Sequence, residues 1–112
     1  MLNQIILVGR LAKEVSVKTK DHGKKLSYIT LAVPRSFKNM NGEYDVDYIE
    51  CILWDKTAEV TAKYCHKGDI LGIKGRIQSR IIELENKKMT ILEVVGEKVT
   101  FLSSKKQNEE FE

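Results

Sequence analysis

The chain has 112 residues, 42% of them hydrophobic and 31% charged, which predicts one soluble domain with its own core. No apolar run approaches the roughly 20 residues of a membrane-spanning helix, and the start, MLNQIILVGR, lacks the features of a signal peptide. A net charge of +3 does not by itself indicate a polyanion partner, and two cysteines are too few for a disulfide framework, so we expect reduced thiols and a cytoplasmic location.

The first predicted strand is the apolar run NQIILVGRL, residues 3–11, which continues into EVSVKTK. Its segment from Ile5 to Val8 contains no polar residue. We therefore expect this strand to be covered on both of its faces.

The second predicted strand, KLSYITLAV, alternates, with Ile29, Leu31 and Val33 on one face. Pro34 is expected to stop it, because proline cannot donate to a sheet ladder. The stretch RSFKNMNGEYDV is rich in turn-forming residues, and its Asn-Gly pair is a strong hairpin signal. This stretch is therefore predicted to connect the second strand to the third.

The third predicted strand, DYIECILW, has two unlike faces. The face toward the core carries Ile49, Cys51 and Leu53. The opposite face carries two aromatic residues, Tyr48 and Trp54, together with Ile52 and the carboxylate of Glu50. Because a carboxylate is rarely buried without a partner, this second face is expected to meet water, and its aromatic residues need a separate explanation.

The segment DKTAEVTAKYCHKG changes to helical spacing and predicts one helix of about three turns. Asp55 is the expected N-cap, and Gly68 suits the position just after the helix. Ala58, Ala62 and Cys65 recur at helical spacing and are expected to face the core.

The fourth predicted strand, DILGIKGRIQSRII, again has two faces. The apolar face carries Leu71, Ile73, Ile77 and Ile81. The other face is basic and carries Lys74, Arg76, Gln78 and Arg80, with Ile82 at its end. A polar turn, ELENKK, leads to a last strand, MTILEVV and KVTFL, which we expect to break near Gly96.

This order of elements predicts an all-β fold. Five antiparallel strands with a helix between the third and fourth fit the five-stranded Greek-key barrel called the OB-fold. Gly9, Gly72 and Gly75 fit the bends of barrel corners. Another small barrel or sandwich with one helix is the alternative. We assign residues 1–104 to this domain and residues 105–112 to a short disordered tail.

Aromatic and basic residues are expected to share the outside of this barrel. Tyr48 and Trp54 lie opposite one apolar stripe, and Lys74, Arg76 and Arg80 lie opposite another. Aromatic rings stack on unpaired bases, and cations attract phosphates, so the combination favours single-stranded nucleic acid with little sequence preference. The alternatives are a solvated basic face and aromatic residues buried in an oligomer interface.

The loops add further candidates. Between the first two strands, KTKDHGKK contributes a cluster of lysines: Lys18, Lys20, Lys24 and Lys25. OB-folds use this loop, and the loop between strands four and five, for ligands. Phe37 stands between Arg35 and Lys38 and is a second aromatic residue among cations. The alternative for the lysines is a solvated hairpin tip.

The sequence offers little for catalysis. It has no P-loop and no GxGxxG motif, and its two Cys and two His lack the spacing of zinc ligands. Cys65 and His66 are adjacent on a helix, so their side chains point apart and do not form a nucleophile pair. Asp45 and Asp47 are expected to be solvated. We therefore expect no enzyme activity, no cofactor and no metal.

Several motifs now resemble one family. In order along residues 1–102, ILVGRL, ITLAVPRSF, DYIECILWDKTAEV, KYCHKGDILGIKGRIQSR and LEVVGEKVTFL are similar to the bacterial single-stranded-DNA-binding proteins. The resemblance implies an OB-fold, usually assembled as a homotetramer, that binds and protects single-stranded DNA in replication, recombination and repair. It also implies a cytoplasmic, nucleoid-associated location.

The resemblance assigns roles to matching positions. It implies base stacking on Phe37, Tyr48 and Trp54 and a phosphate contact by Lys56, and Lys67 matches another basic position of the family. Arg80 lies in the family's basic strand, and Arg10 follows the glycine of strand one, where the family varies. The predicted single-stranded DNA site comprises Arg10, Lys18, Lys24, Phe37, Tyr48, Trp54, Lys56, Lys67, Lys74, Arg76, Arg80 and Ile82.

The chain departs from the family in two places. Ile82 stands where the family often has an aromatic residue near the tip of the last hairpin, so one stacking position is missing or is replaced by apolar contact. The ending NEEFE has only a faint likeness to the family's acidic tip and lacks its linker, which weakens the case for docked replication or repair proteins. A short paralogue, a mobile-element version and a truncation all fit. The alternatives are a primosome-accessory-like OB protein that acts mainly through protein contacts and an RNA-binding OB domain.

Overall fold

Six strands and one α-helix form the fold in the computed structural model, which describes residues 1–104. In chain order they are β1 (Ile5–Leu11), β2 (Lys18–Thr19), β3 (Lys25–Lys38), β4 (Tyr44–Trp54), α1 (Asp55–Tyr64), β5 (Ile70–Leu84) and β6 (Lys87–Ser103). Residues 105–112, predicted to be a disordered tail, lie outside the described residues.

The five long strands close into a barrel. Their order is β1-β5-β6-β4-β3, and a further pairing of β1 with β3 completes the ring. With α1 between β4 and β5, this architecture confirms the predicted OB-fold. The prediction of five antiparallel strands is wrong at one junction, because β4 and β6 run parallel. Alternation of side chains within each strand does not show which strands pair.

The core fills the inside of the barrel. Cys51 and Leu53, on the predicted core face of β4, are fully buried, and Ile49 packs against the cluster. The helix closes the core with Ala58, which is also fully buried. Burial raises the pKa of the Cys51 thiol to about 12, so this side chain is a neutral core residue at ordinary pH.

The first strand differs from the prediction in two ways. It ends at Leu11 instead of continuing through EVSVKTK, of which Lys18 and Thr19 form the separate short strand β2. It is also covered on one face only, because Ile6 is 69% exposed and Val8 is 52% exposed. The apolar run from Ile5 to Val8 therefore includes two side chains, those of Ile6 and Val8, that this single chain leaves uncovered.

The second predicted strand does not stop at Pro34. The strand β3 continues to Lys38, with a shift in its register against β4 between Pro34 and Lys38. Proline is tolerated at such an irregularity. The predicted connection is thus largely an arm formed by a β-hairpin. The turn of this hairpin is closed by the side-chain oxygen of Asn39, which accepts hydrogen bonds from the backbone N–H groups of Asn41 and Glu43.

The predicted helix has about the expected length, but both predicted ends are wrong. Asp55 has a positive φ of 48° and does not cap the helix. Its Oδ1 instead accepts from the backbone N–H of Lys25 at 3.1 Å. The helix ends at Tyr64, and Gly68 lies in the following turn, where its N–H donates to the Leu11 carbonyl. Tertiary hydrogen bonds replace the local caps that the sequence suggests.

The strands β5 and β6 extend beyond the barrel as a second arm. The register shifts between Lys74 and Gly75, and β6 continues through the predicted break near Gly96. The shift needs glycine, because a Cβ at Gly75 would lie 1.9 Å from the Val95 carbonyl oxygen. Past this point Ile77 and Ile81 are exposed, so their predicted place in the core is wrong.

Candidate nucleic-acid interface

The outer face of β4 carries the two predicted stacking residues. Tyr48 is opposite Ala32 and Trp54 is opposite Leu26 on β3. Six strand positions separate the two aromatic residues, about 20 Å at roughly 3.3 Å per residue. Tyr48 is 69% exposed, whereas Trp54 is half-buried. Glu50, between them, is exposed, so the expectation of a face in contact with water is confirmed there.

Predicted cations gather at the Trp54 end of this face. Lys18 of β2 is opposite Leu26, which in turn is opposite Trp54, so the three residues form one row across the sheet. The Lys24 ammonium lies 5.9 Å from the centroid of the indole ring. Lys56 is exposed in the first turn of α1, two residues after Trp54. The indole ring of Trp54 therefore has one lysine, Lys24, beside it and a second, Lys18, in its row across the sheet.

Two other predicted cations lie at the Tyr48 end. Arg10, Tyr48 and Lys67 line one groove of about 340 Å³. The Arg10 guanidinium donates to the Gly68 carbonyl at 2.7 Å, and the backbone N–H of Lys67 donates to a Glu14 carboxylate oxygen at 3.1 Å. The first bond joins β1, and the second the segment after β1, to the turn after α1. They explain why residues 57 positions apart in sequence meet beside one tyrosine.

A row of four residues crosses the middle of the face. Tyr28 is opposite Ile52, Ile52 is opposite Val95, and Val95 is opposite Arg76. Ile52 and Val95 are buried even though they lie outside the barrel core. The row therefore places a partly exposed tyrosine and an arginine at its two ends. The sequence analysis left Tyr28 out of the site, although its alternation with Ile29 and Leu31 already placed it on the outer face.

A buried carboxylate organises the basic side of β5. Glu93, whose side chain is 8% exposed, accepts from Arg80 Nε at 3.1 Å and from Gln78 Nε2 at 2.6 Å. Gln78 Oε1 in turn accepts from Arg76 Nη1 at 3.1 Å. The hydrogen bond to Glu93 is the main cause that raises the pKa of Arg80. The two arginines are thus held in one network on the sheet.

Sequence analysis missed Glu93 as a site residue. The signal was a single carboxylate within the apolar stretch ILEVV, directly opposite Gln78 once β5 and β6 are paired. A buried charge needs a partner, so such a position predicts an ion pair or a polar network.

Three predicted residues lie outside these clusters. Lys74 precedes the register shift, and its neighbours across the sheet are Ile6 and Lys98. Phe37 is exposed near the end of the β3–β4 arm. Ile82 pairs with Met89 near the end of the β5–β6 arm. Lys74 and Ile82 lie on a strand as predicted, whereas Phe37, predicted in a connection, lies on β3.

The face suits a flat, negatively charged ligand. Its parts are aromatic rings and cations. Within residues 1–104, no group of three or more His, Cys, Asp or Glu side chains is placed to hold a metal ion. In the same part of the chain, no helix is both long and apolar enough to cross a membrane.

Comparisons with known proteins agree with this architecture. Residues 2–102 match the model of the single-strand binding protein family. The chain is 46% identical over 106 residues to single-stranded DNA-binding protein B of Bacillus subtilis and covers 94% of each. It is 41% identical to single-stranded DNA-binding protein 2 of Listeria monocytogenes, spanning 98% of this chain and 69% of that protein.

Other relatives are longer, since the chain spans 59% of the single-stranded DNA-binding protein of Enterococcus faecalis, to which it is 40% identical. A solved structure, the Plasmodium falciparum SSB complex with ssDNA, superposes with a TM-score of 0.80. It covers 92% of this chain and 96% of that chain at 23% identity, which supports the fold. The family match over residues 2–102 and the 46% identity to a protein of almost equal length lead to one conclusion: this chain belongs to the single-strand binding protein family.

Proposed function

We propose that this protein binds single-stranded DNA with little sequence preference and protects it during replication, recombination and repair. The observation that carries the proposal is the outer face of β4, where Tyr48 and Trp54 lie about 20 Å apart with cations beside each. Family membership supports it, as do the names of the relatives. Binding requires no bond to be made or broken.

In this proposal bases stack on the rings of Tyr48 and Trp54, each contact being worth roughly 1–3 kcal/mol. Phosphates are held by cations at the two ends of the face: Arg10, Lys18, Lys24, Lys56 and Lys67. Arg76 and Arg80 contribute from the adjacent β5. Phe37 and Ile82, on the two arms, extend the contact area, with Ile82 offering apolar contact but no aromatic ring. Lys74 contributes long-range attraction from its place beside β1.

The test is a titration of the intrinsic fluorescence of Trp54, the single tryptophan of the chain. Oligo-dT, duplex DNA and oligo-U are added at two salt concentrations. We expect strong quenching by oligo-dT, weaker quenching by duplex, and weaker binding at the higher salt, because released counterions drive phosphate contacts. Comparison of oligo-dT with oligo-U measures the preference for DNA over RNA.

Absence of quenching in a protein whose circular dichroism shows an intact fold would overturn the proposal. A role as a primosome-accessory-like protein, acting mainly through protein contacts, would then become the better account. Tighter binding of oligo-U than of oligo-dT would instead favour an RNA-binding OB domain.

The proposed assembly is a homo-oligomer, and the family resemblance indicates a tetramer. The exposed side chain of Ile6 supports this, because contact with a second subunit would remove this large apolar residue from water. Sedimentation of the full chain measures the assembly state. We expect Ile6→Glu to shift it toward smaller species, while sedimentation of the unaltered chain as a monomer would contradict the proposal.

A cytoplasmic, nucleoid-associated location follows from this role. Replication and repair proteins are possible partners. Glu109, Glu110 and Phe111, in the ending compared with the family's acidic tip, would be the residues to contact such partners. They lie outside the described part of the chain.

A further inference from the structure

A second tyrosine lies on the same face of β4, farther out on the β3–β4 arm. Tyr44, Val46 and Tyr48 are alternate residues of this strand, so their side chains share one face. All three are exposed, Tyr44 to 54%, Val46 to 40% and Tyr48 to 69%. Four positions separate the two tyrosines, about 13 Å at roughly 3.3 Å per residue. The outer face of β4 therefore continues past Tyr48 as an exposed apolar and aromatic line.

A cation accompanies this second ring. Lys38 is directly opposite Tyr44 across the arm, and its ammonium lies 5.8 Å from the ring centroid. This is a cation–π distance. Tyr44 thus supplies a ring that can stack on a base, and Lys38 supplies a charge that can attract a phosphate. Trp54 and Lys24 form the same combination at the other end of the strand.

The arm that carries Tyr44 is held in shape before any ligand arrives. The Arg35 guanidinium binds Asp47 on the neighbouring strand through Nη2 at 2.9 Å and Nε at 3.2 Å. This pairing is the main cause that lowers the pKa of Asp47. At the turn, the backbone N–H of Asn39 donates to the Glu43 carbonyl at 2.7 Å. A pre-organised arm loses little conformational freedom on binding.

An apolar groove links the arm to the barrel. It has a volume of about 390 Å³, and its lining includes Val8 and Arg10 of β1, Pro34 of β3, and Val46 and Tyr48 of β4. The groove runs from the cations beside Tyr48 toward the base of the arm. A strand lying on Tyr48 can follow it outward to Tyr44.

From these observations we infer that Tyr44 and Lys38 form an additional base-stacking and phosphate-binding position. It extends the path of single-stranded DNA beyond Tyr48 onto the β3–β4 arm. This inference rests on the proposed function, because it names one more contact for the same ligand.

The experiment measures the affinity for oligo-dT of increasing length through Trp54 fluorescence, for the unaltered chain and for Tyr44→Ala, Tyr44→Phe and Lys38→Ala. The matched control is Tyr64→Ala. Tyr64 is also exposed and has a lysine, Lys63, with its ammonium 5.3 Å from the ring centroid, but it is the last residue of α1 and does not belong to the β3–β4 arm.

We expect Tyr44→Ala to weaken binding of long oligomers by at least about fivefold, the lower end of one lost base stack. Oligomers too short to pass Tyr48 should bind it normally. Tyr44→Phe, which keeps the ring, and Tyr64→Ala should both bind like the unaltered chain. Lys38→Ala should lower the slope of log K against log salt by about 0.7, the value of one phosphate contact on a single strand.

The outcomes separate this inference from the function on which it rests. If the unaltered chain binds oligo-dT and folded Tyr44→Ala binds every length equally well, the inference is wrong and the proposed function stands. If Tyr44→Ala weakens short and long oligomers alike, Tyr44 does not extend the path and the inference is also wrong. If the unaltered chain does not bind, the proposed function fails first.

Discussion

Arg80 of β5 and Glu93 of β6 are diagonal neighbours across the two strands, and Nε of the arginine lies 3.1 Å from Oε2 of the carboxylate. The arginine is half-exposed while the carboxylate is almost fully buried, so the pair faces the solvent with its positive end. A cation that is already paired has less charge to offer to phosphate. We therefore propose that pairing with Glu93 limits the contact of the Arg80 guanidinium with DNA phosphate.

The substitution Glu93→Gln tests this point. We expect it to steepen the slope of log K against log salt by up to about 0.7, because an unpaired Arg80 gains a full phosphate contact. Salt-dependent titration with oligo-dT measures the slope. Glu83→Gln on the same arm removes the same charge and should leave the slope almost unchanged. The double variant Arg80→Ala/Glu93→Gln should lose the steepening, and its persistence there would contradict the role given to Arg80.

Removal of either stacking ring of β4 should weaken binding. We expect Tyr48→Ala and Trp54→Ala each to lose about 1–3 kcal/mol of affinity for oligo-dT, since each loses one base–aromatic contact. Anisotropy of a dye-labelled oligonucleotide measures both, because Trp54→Ala removes the intrinsic reporter. Unchanged affinity in both folded variants would show that bases do not stack there.

Lys56 and Lys63 provide a matched pair of lysines at the two ends of α1. Lys56→Ala should lower both the affinity and the salt slope, the latter by about 0.7, because Lys56 is proposed to contact phosphate. Lys63→Ala, which removes the lysine beside Tyr64, should change neither. Equal effects of the two substitutions would indicate general attraction and no specific contact.

Burial of Cys51 predicts a loss of stability at high pH. The folded thiol keeps its proton up to about pH 12, whereas the ordinary value is 9.0. Its contribution is therefore complete below pH 9 and falls as the pH rises toward 12, by up to about 1.4 kcal/mol per unit. Denaturant unfolding of the unaltered chain and of Cys51→Ala at pH 7 to 11 checks this. Above pH 9 the free energy of unfolding should fall less steeply with pH for Cys51→Ala than for the unaltered chain. Parallel pH dependences of the two proteins would contradict the prediction.

Gly75 and Gly72 lie three residues apart on β5 but meet different surroundings. A Cβ at Gly75 would lie 1.9 Å from the Val95 carbonyl oxygen, while a Cβ at Gly72 would meet no atom closer than 3.7 Å. We expect Gly75→Ala to cost at least about 1–3 kcal/mol of stability, because backbone must move to admit it. Gly72→Ala should be close to neutral. Thermal unfolding of both variants measures the difference, and equal melting temperatures would refute the account of the register shift.

The sequence was a good guide wherever alternation along one strand decided the outcome. The separation of Cys51 and Leu53 from Tyr48 and Trp54 needs only the period of two, and the structure confirms it. The helix between β4 and β5 was equally visible from its change of period. These features are local, and they suffice to predict the order of elements and the all-β barrel.

Prediction failed where one strand depends on another. The strands β5 and β6 run past the barrel as an arm, so Ile77 and Ile81 lie exposed beyond the core, and nothing in β5 alone signals where the barrel ends. Glu93 and Gln78 become partners only once β5 and β6 are paired. Tyr44 was missed because the turn-rich stretch RSFKNMNGEYDV, which contains it, was predicted to be a connection, so its alternation with Val46 and Tyr48 was not followed outward.

The closure of the barrel has a consequence for motion. Strand β1 pairs with β5 from Ile5 to Arg10, but with β3 through Arg10 and Leu11. At this seam the backbones come so close that a Cβ on Gly9 would lie 2.7 Å from the Ala32 carbonyl oxygen. We expect the amide hydrogens of this short ladder to exchange sooner than those of the longer ladders of the barrel. Arg10 belongs to the ladder and lines one groove with Tyr48, so we expect bound DNA that contacts both residues to slow this exchange.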